Sequence, residues 1–151
     1  MELYLVQHGI AVSEEVDPHK GISREGRLQT LRVLAFLCVK DFNVDVLWHS
    51  KKQRAVDTAY VIQDNISIKE VVARDDLSPL SEIKDLPNEI IQLDKNLMIV
   101  GHLPFLGRLV SQLITGSDNY ELVSFKHSGV VCLDYKDSKW RIKWIVAPDI
   151  I

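Results

Sequence analysis

Two histidines and an arginine occupy positions at which they could assemble one reactive site. His8 and His102 each stand one residue beyond an apolar run, at 3–6 and 97–100 respectively. Arg54 lies in the first turn of a helical pattern that follows another apolar run. A phosphoryl group held among these residues would find an imidazole nucleophile, a second imidazole and a guanidinium fork. Those groups are the parts of a phosphoryl-transfer site.

Each of these residues also has an ordinary structural interpretation. Arg54 can be a surface helix arginine, and His102 can hydrogen-bond the backbone at the end of a strand. His8 can be a polar loop residue, with Gly9 letting the chain turn sharply or approach a ligand closely. None of these interpretations explains why the same placement recurs, so we predict that the three residues meet.

The apolar runs predict the strands that would bring them together. Runs 3–6 and 97–100 are apolar on both faces, as in central strands covered by helices. Further strands are predicted at 44–48, at 66–72 on a sheet edge, and at 130–135 and 140–146 as a hairpin. In such sheets ligands bind outside the carboxyl ends of the strands. We therefore predict an α/β fold of three layers, with a mainly parallel central sheet, helices on both faces and an antiparallel edge.

Helices are predicted between the strands. The first begins after an N-cap at Ser23, and Ser50 is placed to cap the second. Pro87 suits the first turn of the third helix, and Gly116 ends the fourth. The apolar stripe of the first helix is predicted from residues at helical spacing: Leu28, Leu31, Ala35 and Cys38, broadened by Leu34 and Leu37.

The composition excludes several classes of function. A length of 151 residues suits one domain over 1–151, and a formal net charge of -3 with mixed signs offers no basic stripe for nucleic acid. No stretch approaches the roughly 18 apolar residues of a membrane span, and the chain enters a strand at once, so we expect no membrane contact and a cytoplasmic location. The two cysteines, Cys38 and Cys132, lack metal-like or paired spacing and are expected to be buried and reduced.

Three ordered segments resemble the motifs of the histidine phosphatase superfamily, which also contains the phosphoglycerate mutases. They are Gln7-His8-Gly9, Arg54-Ala55 with Thr58-Ala59, and Val100-Gly101-His102-Leu103-Pro104. The chain is similar over nearly all of its length to the small SixA-like phosphohistidine phosphatases, including Ile22-Ser23 with Gly26-Arg27 and the final Val146-Ala147-Pro148. The resemblance implies a phosphoglycerate mutase-like fold and a hydrolase without a cofactor or metal. Its implied partner is a phosphohistidine-bearing protein of a phosphorelay or phosphotransfer system.

The resemblance also implies roles for the matched residues. His8 would attack phosphorus and form a phosphohistidine that water hydrolyses, while Arg54 and His102 hold the phosphoryl oxygens. Gln7, Gly9 and Ser23 would contribute to substrate binding, Ser23 from a helix start near the phosphate.

No single carboxylate stands out as a general acid. Asp75, Asp76 and Glu82 lie in the loop where larger relatives place one, but acidic loop residues are usually just solvated. A phosphoramidate substrate is already reactive and lessens the need for a strong acid, which suits this sequence.

Position 7 departs from the superfamily motif, which has an arginine immediately before the nucleophile. Glutamine can donate a hydrogen bond but has neither positive charge nor a bidentate fork. Losing a charge-assisted contact of this kind costs about 3 to 4 kcal/mol, or on the order of 100 to 1000-fold in rate, so weakened activity is predicted. Lys51 and Lys52, which also depart from the family pattern, could return some charge, although exposed helix-start side chains are the simpler interpretation.

Two alternative functions remain open. One is a catalytically impaired module of the same fold that binds phosphate or a phosphorylated protein. The other is a metal-binding protein that uses His8, His102 and His49, where His49 itself replaces a usual serine of the family. The sequence disfavours the metal because it places no carboxylate or cysteine ligand firmly beside the histidines.

Overall fold

Six strands form one mixed sheet in the computed structural model, which describes residues 1–151. The strands are β1 (Glu2–Gln7), β2 (Val46–Ser50), β3 (Glu70–Arg74), β4 (Leu97–Gly101), β5 (Val130–Lys136) and β6 (Lys139–Val146). Their order across the sheet is β3-β2-β4-β1-β5-β6. Strands β3, β2, β4 and β1 pair in parallel, whereas β5 and β6 are antiparallel. The predicted mainly parallel sheet with an antiparallel edge is confirmed.

Four helices cover the two faces of the sheet. They are α1 (Arg24–Cys38), α2 (Gln53–Gln63), α3 (Leu86–Leu93) and α4 (Phe105–Thr115), with short 3-10 turns at Asp75–Leu77 and Pro148–Ile150. Strand β1 shows the layers directly, because Leu3 and Leu5 pack in one core with α3 and α4. Tyr4 and Val6 point the other way, into a second core with α1 and α2. Full burial of one such side chain contributes about 1.5 to 3 kcal/mol, so both faces stabilise the central strand. The predicted three-layer architecture is confirmed.

The predicted apolar stripe of α1 is wrong in part, because Leu34 and Leu37 are buried as predicted but Leu28, Ala35 and Cys38 are exposed. The buried face consists of Gly26, Thr30, Val33, Leu34 and Leu37. Leu28 is 55% exposed, and Cys38 is exposed rather than buried. The buried face is rotated from the predicted stripe because it includes Thr30, a polar residue that a pattern of apolar residues alone does not count. The Thr30 hydroxyl donates to the Gly26 carbonyl at 2.8 Å and lies 2.8 Å from the Ser128 hydroxyl, so its burial leaves no unpaired group.

The second strand lies two residues further along the chain than predicted. His49 and Ser50 extend it because they continue the register with β4 and β3, where the sequence shows no apolar signal. Ser50 is consequently not the N-cap of α2. That position belongs to Lys52, whose side chain makes no capping bond, and whose backbone N–H donates to the Ser50 hydroxyl at 3.2 Å.

Other local predictions are confirmed by the backbone. Ser23 caps α1 by accepting the Gly26 N–H at 3.0 Å, and Pro87 lies in the first turn of α3. Gly116 ends α4 with a positive φ of 78°, a conformation that favours glycine. The third strand does lie at the sheet edge, although it spans Glu70–Arg74 rather than 66–72. Cys132 is buried as predicted. None of the helices combines the length and the apolar character that crossing a membrane would require.

Candidate active site

His8 and His102 follow two strands that lie side by side. Gln7 is in register with Gly101 in the parallel pair β1–β4, and the His8 N–H donates to the Gly101 carbonyl at 3.0 Å. This pairing carries both histidines to the same edge of the sheet, with their ring centroids 5.1 Å apart. Arg54, in the first turn of α2, completes the group through its Nε, which lies 3.3 Å from His8 Nε2. The structure therefore brings together the three residues that the sequence predicted to meet, and their chemical roles stay predictions.

The hydrogen bonds of His8 select its tautomer. His8 Nδ1 lies 2.8 Å from the Gly9 carbonyl oxygen, and a carbonyl can only accept. Nδ1 therefore carries the proton and Nε2 keeps its lone pair. That lone pair points toward the Arg54 guanidinium, where an anionic group would be held. Nε2 is therefore the ring nitrogen of His8 that is free to act as a nucleophile.

Gly9 and Thr58 fix the position of α2 against the end of β1. The Gly9 N–H donates to the Thr58 hydroxyl at 2.9 Å, and that hydroxyl donates to the Arg54 carbonyl at 2.7 Å. A Cβ at position 9 would lie 3.1 Å from the Gly26 carbonyl oxygen, so α1 also approaches closely here. A side chain at position 9 would require α1 to shift by a few tenths of an ångström.

His102 is 1% exposed and holds one ring nitrogen without a partner. The Ser50 hydroxyl accepts from the Lys52 N–H and lies 2.8 Å from His102 Nε2. His102 Nδ1 is buried and has no hydrogen-bond partner in the protein. In the tautomer that carries its proton on Nδ1, this buried N–H would suit an anionic oxygen as its partner.

Burial keeps both histidines neutral near physiological pH. Burial lowers the pKa of His8 to about 4 and outweighs the bond to Gly9, with the Arg54 charge adding to the decrease. Burial lowers the pKa of His102 to about 3, helped by the charges of His8, Arg54 and Lys52. Burial also lowers the pKa of Arg54 from its ordinary value, although a guanidinium remains protonated in proteins. The site thus combines one fixed positive charge with two neutral imidazoles.

These pKa values predict how stability depends on pH. The ordinary histidine pKa is 6.5, so between that value and about 4 the unfolded chain binds protons that folded His8 and His102 do not bind. The free energy of unfolding is expected to fall as the pH falls through this window, by at most about 1.4 kcal/mol per pH unit for each histidine. Urea unfolding of the wild type and His102→Gln between about pH 7 and pH 5 measures the effect. The free energy of unfolding should depend less steeply on pH in the variant than in the wild type. Equal slopes in the two proteins would contradict the predicted neutral burial of His102.

A third histidine, His127, also lies beside His8. Its ring centroid is 5.1 Å from that of His8, and its Nδ1 lies 3.0 Å from the His8 carbonyl oxygen. The sequence analysis missed this residue because it stands in a polar loop without an apolar run before it. The missing signal was the pairing of β5 with β1, which runs antiparallel and so places residues just before β5 beside those just after β1. The Ser128 N–H, which donates to the Gln7 carbonyl at 2.9 Å, continues that pairing.

Gln7 is 8% exposed and its side chain contacts His127. One end of the amide lies 3.3 Å from His127 Nδ1, which already carries a proton for the His8 carbonyl. Two donors cannot bond, so this end of the amide is its oxygen and the amino group is the end that lies buried without a partner. Position 7 therefore holds a neutral donor close to His8.

The carboxylates named in the sequence analysis lie outside this group. Asp75 pairs with Lys51 at 2.9 Å, and Asp76 pairs with Arg74 at 2.6 Å. Glu82 pairs with Lys84 at 3.4 Å, and all three acids are exposed. None of them is hydrogen-bonded to a site residue.

Two other predicted candidates are also occupied elsewhere. The Ser23 hydroxyl donates to the Ile10 carbonyl at 2.8 Å while it caps α1, so it makes no hydrogen bond to His8, Arg54 or His102. His49 is buried and its Nδ1 lies 2.9 Å from the Ser50 carbonyl oxygen. No group of three or more His, Cys, Asp or Glu side chains is arranged to hold a metal ion.

Comparisons with known proteins establish the fold. No protein-family model and no curated protein matches the sequence. The structure of the protein histidine phosphatase SixA complexed with tungstate is similar with a TM-score of 0.86 and 18% identity, covering 99% of this chain and 98% of that chain. A putative phosphohistidine phosphatase SixA from Agrobacterium tumefaciens has a TM-score of 0.77 and 21% identity, with 97% of each chain covered. Phosphoserine phosphatase from Entamoeba histolytica has a TM-score of 0.74 and 14% identity, covering 97% of this chain and 96% of that chain. The predicted phosphoglycerate mutase-like α/β fold is confirmed.

Proposed function

We propose that this protein is a phosphatase that removes phosphate from a phosphorylated histidine of another protein through a phosphohistidine intermediate on His8. One observation carries the proposal. A buried, neutral His8 presents Nε2 beside the Arg54 guanidinium, 3.3 Å away, and its ring lies 5.1 Å from that of His102. The resemblance in fold to proteins named as SixA phosphohistidine phosphatases supports it. The SixA structure is complexed with tungstate, an oxyanion similar to phosphate.

The reaction has two displacement steps at phosphorus. In the first, the His8 Nε2 lone pair forms a bond to phosphorus while the bond from phosphorus to the substrate imidazole breaks. The substrate imidazole leaves with the bonding electron pair, neutral if its other nitrogen carries a proton. In the second, a water oxygen bonds to phosphorus, the bond to Nε2 breaks, and the proton of the water leaves with the phosphate.

The contacts of His8 and its neighbours support both steps. Phosphorylation at Nε2 gives the ring positive character, and the bond from Nδ1–H to the Gly9 carbonyl becomes charge-assisted and stronger. Arg54 and the Nδ1–H of His102 would hold the phosphoryl oxygens while phosphorus moves between nucleophiles. Holding them in place makes the attack intramolecular in effect, which lowers the barrier through positioning.

The absence of a carboxylate among the contacts of these residues favours phosphohistidine over phosphate esters. Breaking an ester bond creates an alkoxide that needs a proton from a general acid. An imidazole leaves without one when its other nitrogen is protonated. Since Asp75, Asp76 and Glu82 are exposed and paired elsewhere, the site matches the less demanding leaving group. The proposed partner is therefore a phosphohistidine-bearing protein of a cytoplasmic phosphorelay or phosphotransfer system.

Gln7 supports a second candidate function, a module of the same fold that binds phosphate or a phosphorylated protein with little turnover. A neutral amide replaces the arginine of the motif that the segment resembles, and this reduces the charge available to the transition state. Binding of a phosphate group to Arg54 and His102 depends less on a positive charge at position 7 than the transition state does.

The two functions are separated by a hydrolysis assay. Phosphate release is expected to be at least about tenfold faster from a phosphohistidine peptide than from the same sequence carrying phosphoserine, because only the ester requires a general acid. His19→Ala, which replaces an exposed histidine, is the matched control and should retain the wild-type rate. If neither peptide releases phosphate while the protein binds inorganic phosphate, the binding module is the better description. Equal rates on both peptides would contradict the proposed substrate class.

A further inference from the structure

The loop that carries His127 is held firmly against the site. The Ser128 N–H donates to the Gln7 carbonyl at 2.9 Å, and the Ser128 hydroxyl lies 2.8 Å from the Thr30 hydroxyl of α1. The Gly129 N–H donates to the Lys126 carbonyl at 2.9 Å and closes the turn. The position of the His127 ring is therefore set by β1 and α1 together.

The ring of His127 is anchored at one nitrogen and open at the other. Nδ1 donates to the His8 carbonyl at 3.0 Å and contacts the Gln7 amide at 3.3 Å. Nε2 makes no hydrogen bond within the protein and is not among its buried unpaired polar atoms, so it is accessible. The distance between the His8 and His127 ring centroids equals that between the His8 and His102 rings, at 5.1 Å. Two imidazoles thus lie equally close to His8, and each has one ring nitrogen without a partner in the protein.

A bound phosphoryl group would carry more charge than Arg54 alone neutralises. A phosphoryl group carries close to two negative charges, whereas Arg54 is the only cationic side chain that hydrogen-bonds His8. Lys51 is paired with Asp75 at 2.9 Å, whereas Lys52 makes no ion pair and its charge helps to lower the pKa of His102. When His127 is doubly protonated, both of its ring nitrogens donate, so Nε2 gains an N–H for a phosphoryl oxygen while Nδ1 keeps its anchor.

The neighbouring glutamine fits a cationic His127. Its amide oxygen accepts from Nδ1–H and holds the ring, which an arginine at the same position could not do because it has no acceptor. An arginine would also place two positive charges in contact, which is unfavourable. Gln7 is therefore a positioning residue for His127.

We infer that His127 contacts the phosphoryl group and supplies, in protonated form, the positive charge that an arginine would supply at position 7, with Gln7 holding its ring. The inference rests on the proposed function, and it makes His127 a third histidine of the phosphate site.

A double-mutant cycle tests the inference. His127→Asn is the suitable variant, since an asparagine amide can keep the Nδ1-type donor to the His8 carbonyl but has nothing in place of Nε2. With Gln7 present, His127→Asn is expected to lower kcat/KM on a phosphohistidine peptide by about tenfold or more. Adding Gln7→Arg to His127→Asn should raise kcat/KM about tenfold and so recover the loss. Gln7→Arg alone should raise kcat/KM by less, because the cation is already present. His19→Ala controls for the loss of a histidine elsewhere.

Binding of inorganic phosphate to the same four proteins separates this inference from the proposed function. The Kd should weaken about tenfold in His127→Asn and recover in the double variant, whether or not the protein turns over. If wild type hydrolyses the peptide while His127→Asn changes neither kcat/KM nor Kd, only the role of His127 is overturned. The role of His127 would also be overturned if His127→Asn changed kcat/KM and Kd equally with glutamine and with arginine at position 7. If no protein hydrolyses the peptide but the Kd values follow the cycle, the inference holds and the proposed function fails.

Discussion

Replacing His8 by asparagine is expected to lower kcat on a phosphohistidine peptide by at least about 10⁴-fold, on the order of the loss seen when a covalent nucleophile is removed. Asparagine is a close match for this test, because its amide can reproduce the Nδ1–H bond to the Gly9 carbonyl, which is 2.8 Å long in the wild type. It lacks any atom in place of Nε2. The change therefore removes the attacking lone pair while it leaves the turn after β1 supported.

Initial rates of phosphate release, with the folded state checked by circular dichroism, measure this prediction. His8 is 8% exposed, so the unfolding midpoint of each variant must be compared with that of the wild type. His19→Asn is the control for the substitution itself and should leave kcat unchanged. Retention by folded His8→Asn of more than about a hundredth of the wild-type rate would exclude His8 as an obligatory nucleophile.

Arg54→Ala is expected to lower kcat/KM by about 100 to 1000-fold, with a large part of the loss in kcat. Arg54 is the cation that reaches His8 Nε2, at 3.3 Å, and no salt bridge to an acidic residue diverts its charge. Its charge would face the phosphoryl oxygens throughout both displacement steps. Removing it leaves these oxygens without their fixed cation.

Arg54→Lys distinguishes charge from geometry. Lysine keeps a positive charge but loses the planar fork that can donate twice to one phosphoryl group, so an intermediate rate is expected. Arg141→Ala is the matched control, because Arg141 is exposed and pairs with Asp134 on the hairpin of β5 and β6. Full activity of Arg54→Ala, or a loss confined to KM, would show that Arg54 does not act in the transition state.

The sequence predicted the sheet and the meeting of His8, Arg54 and His102 because both depend on a simple pattern. Apolar runs predict central strands, and the carboxyl ends of parallel strands meet at one edge. The strands that carry His8 and His102 are 0 to 2% exposed along their apolar stretches, so hydrophobicity alone determined their place. The meeting of the three residues follows from that placement and needs no knowledge of side-chain contacts.

Features that depend on tertiary pairing were not predicted. His127 lies beside His8 because β5 pairs antiparallel with β1, and no local sequence pattern predicts that pairing. Ser50 has the residue type and spacing of an N-cap, but it is the last residue of β2, where its hydroxyl supports His102. Thr30 shifted the buried face of α1 because its hydroxyl found partners in the packed structure. In each case a polar residue was assigned from its neighbours in the chain and takes its function from neighbours in space.

The formation of a covalent phosphohistidine on His8 tests the central claim most directly. The protein is incubated with a phosphoramidate, quenched in alkali and analysed by peptide mass spectrometry, with His8→Ala and His19→Ala treated in parallel. The proposed mechanism predicts a phosphate on His8 that is stable in alkali and lost in acid, present in wild type and His19→Ala and absent from His8→Ala. A wild-type protein that hydrolyses the substrate without label on His8, or a label that survives in His8→Ala, would contradict it.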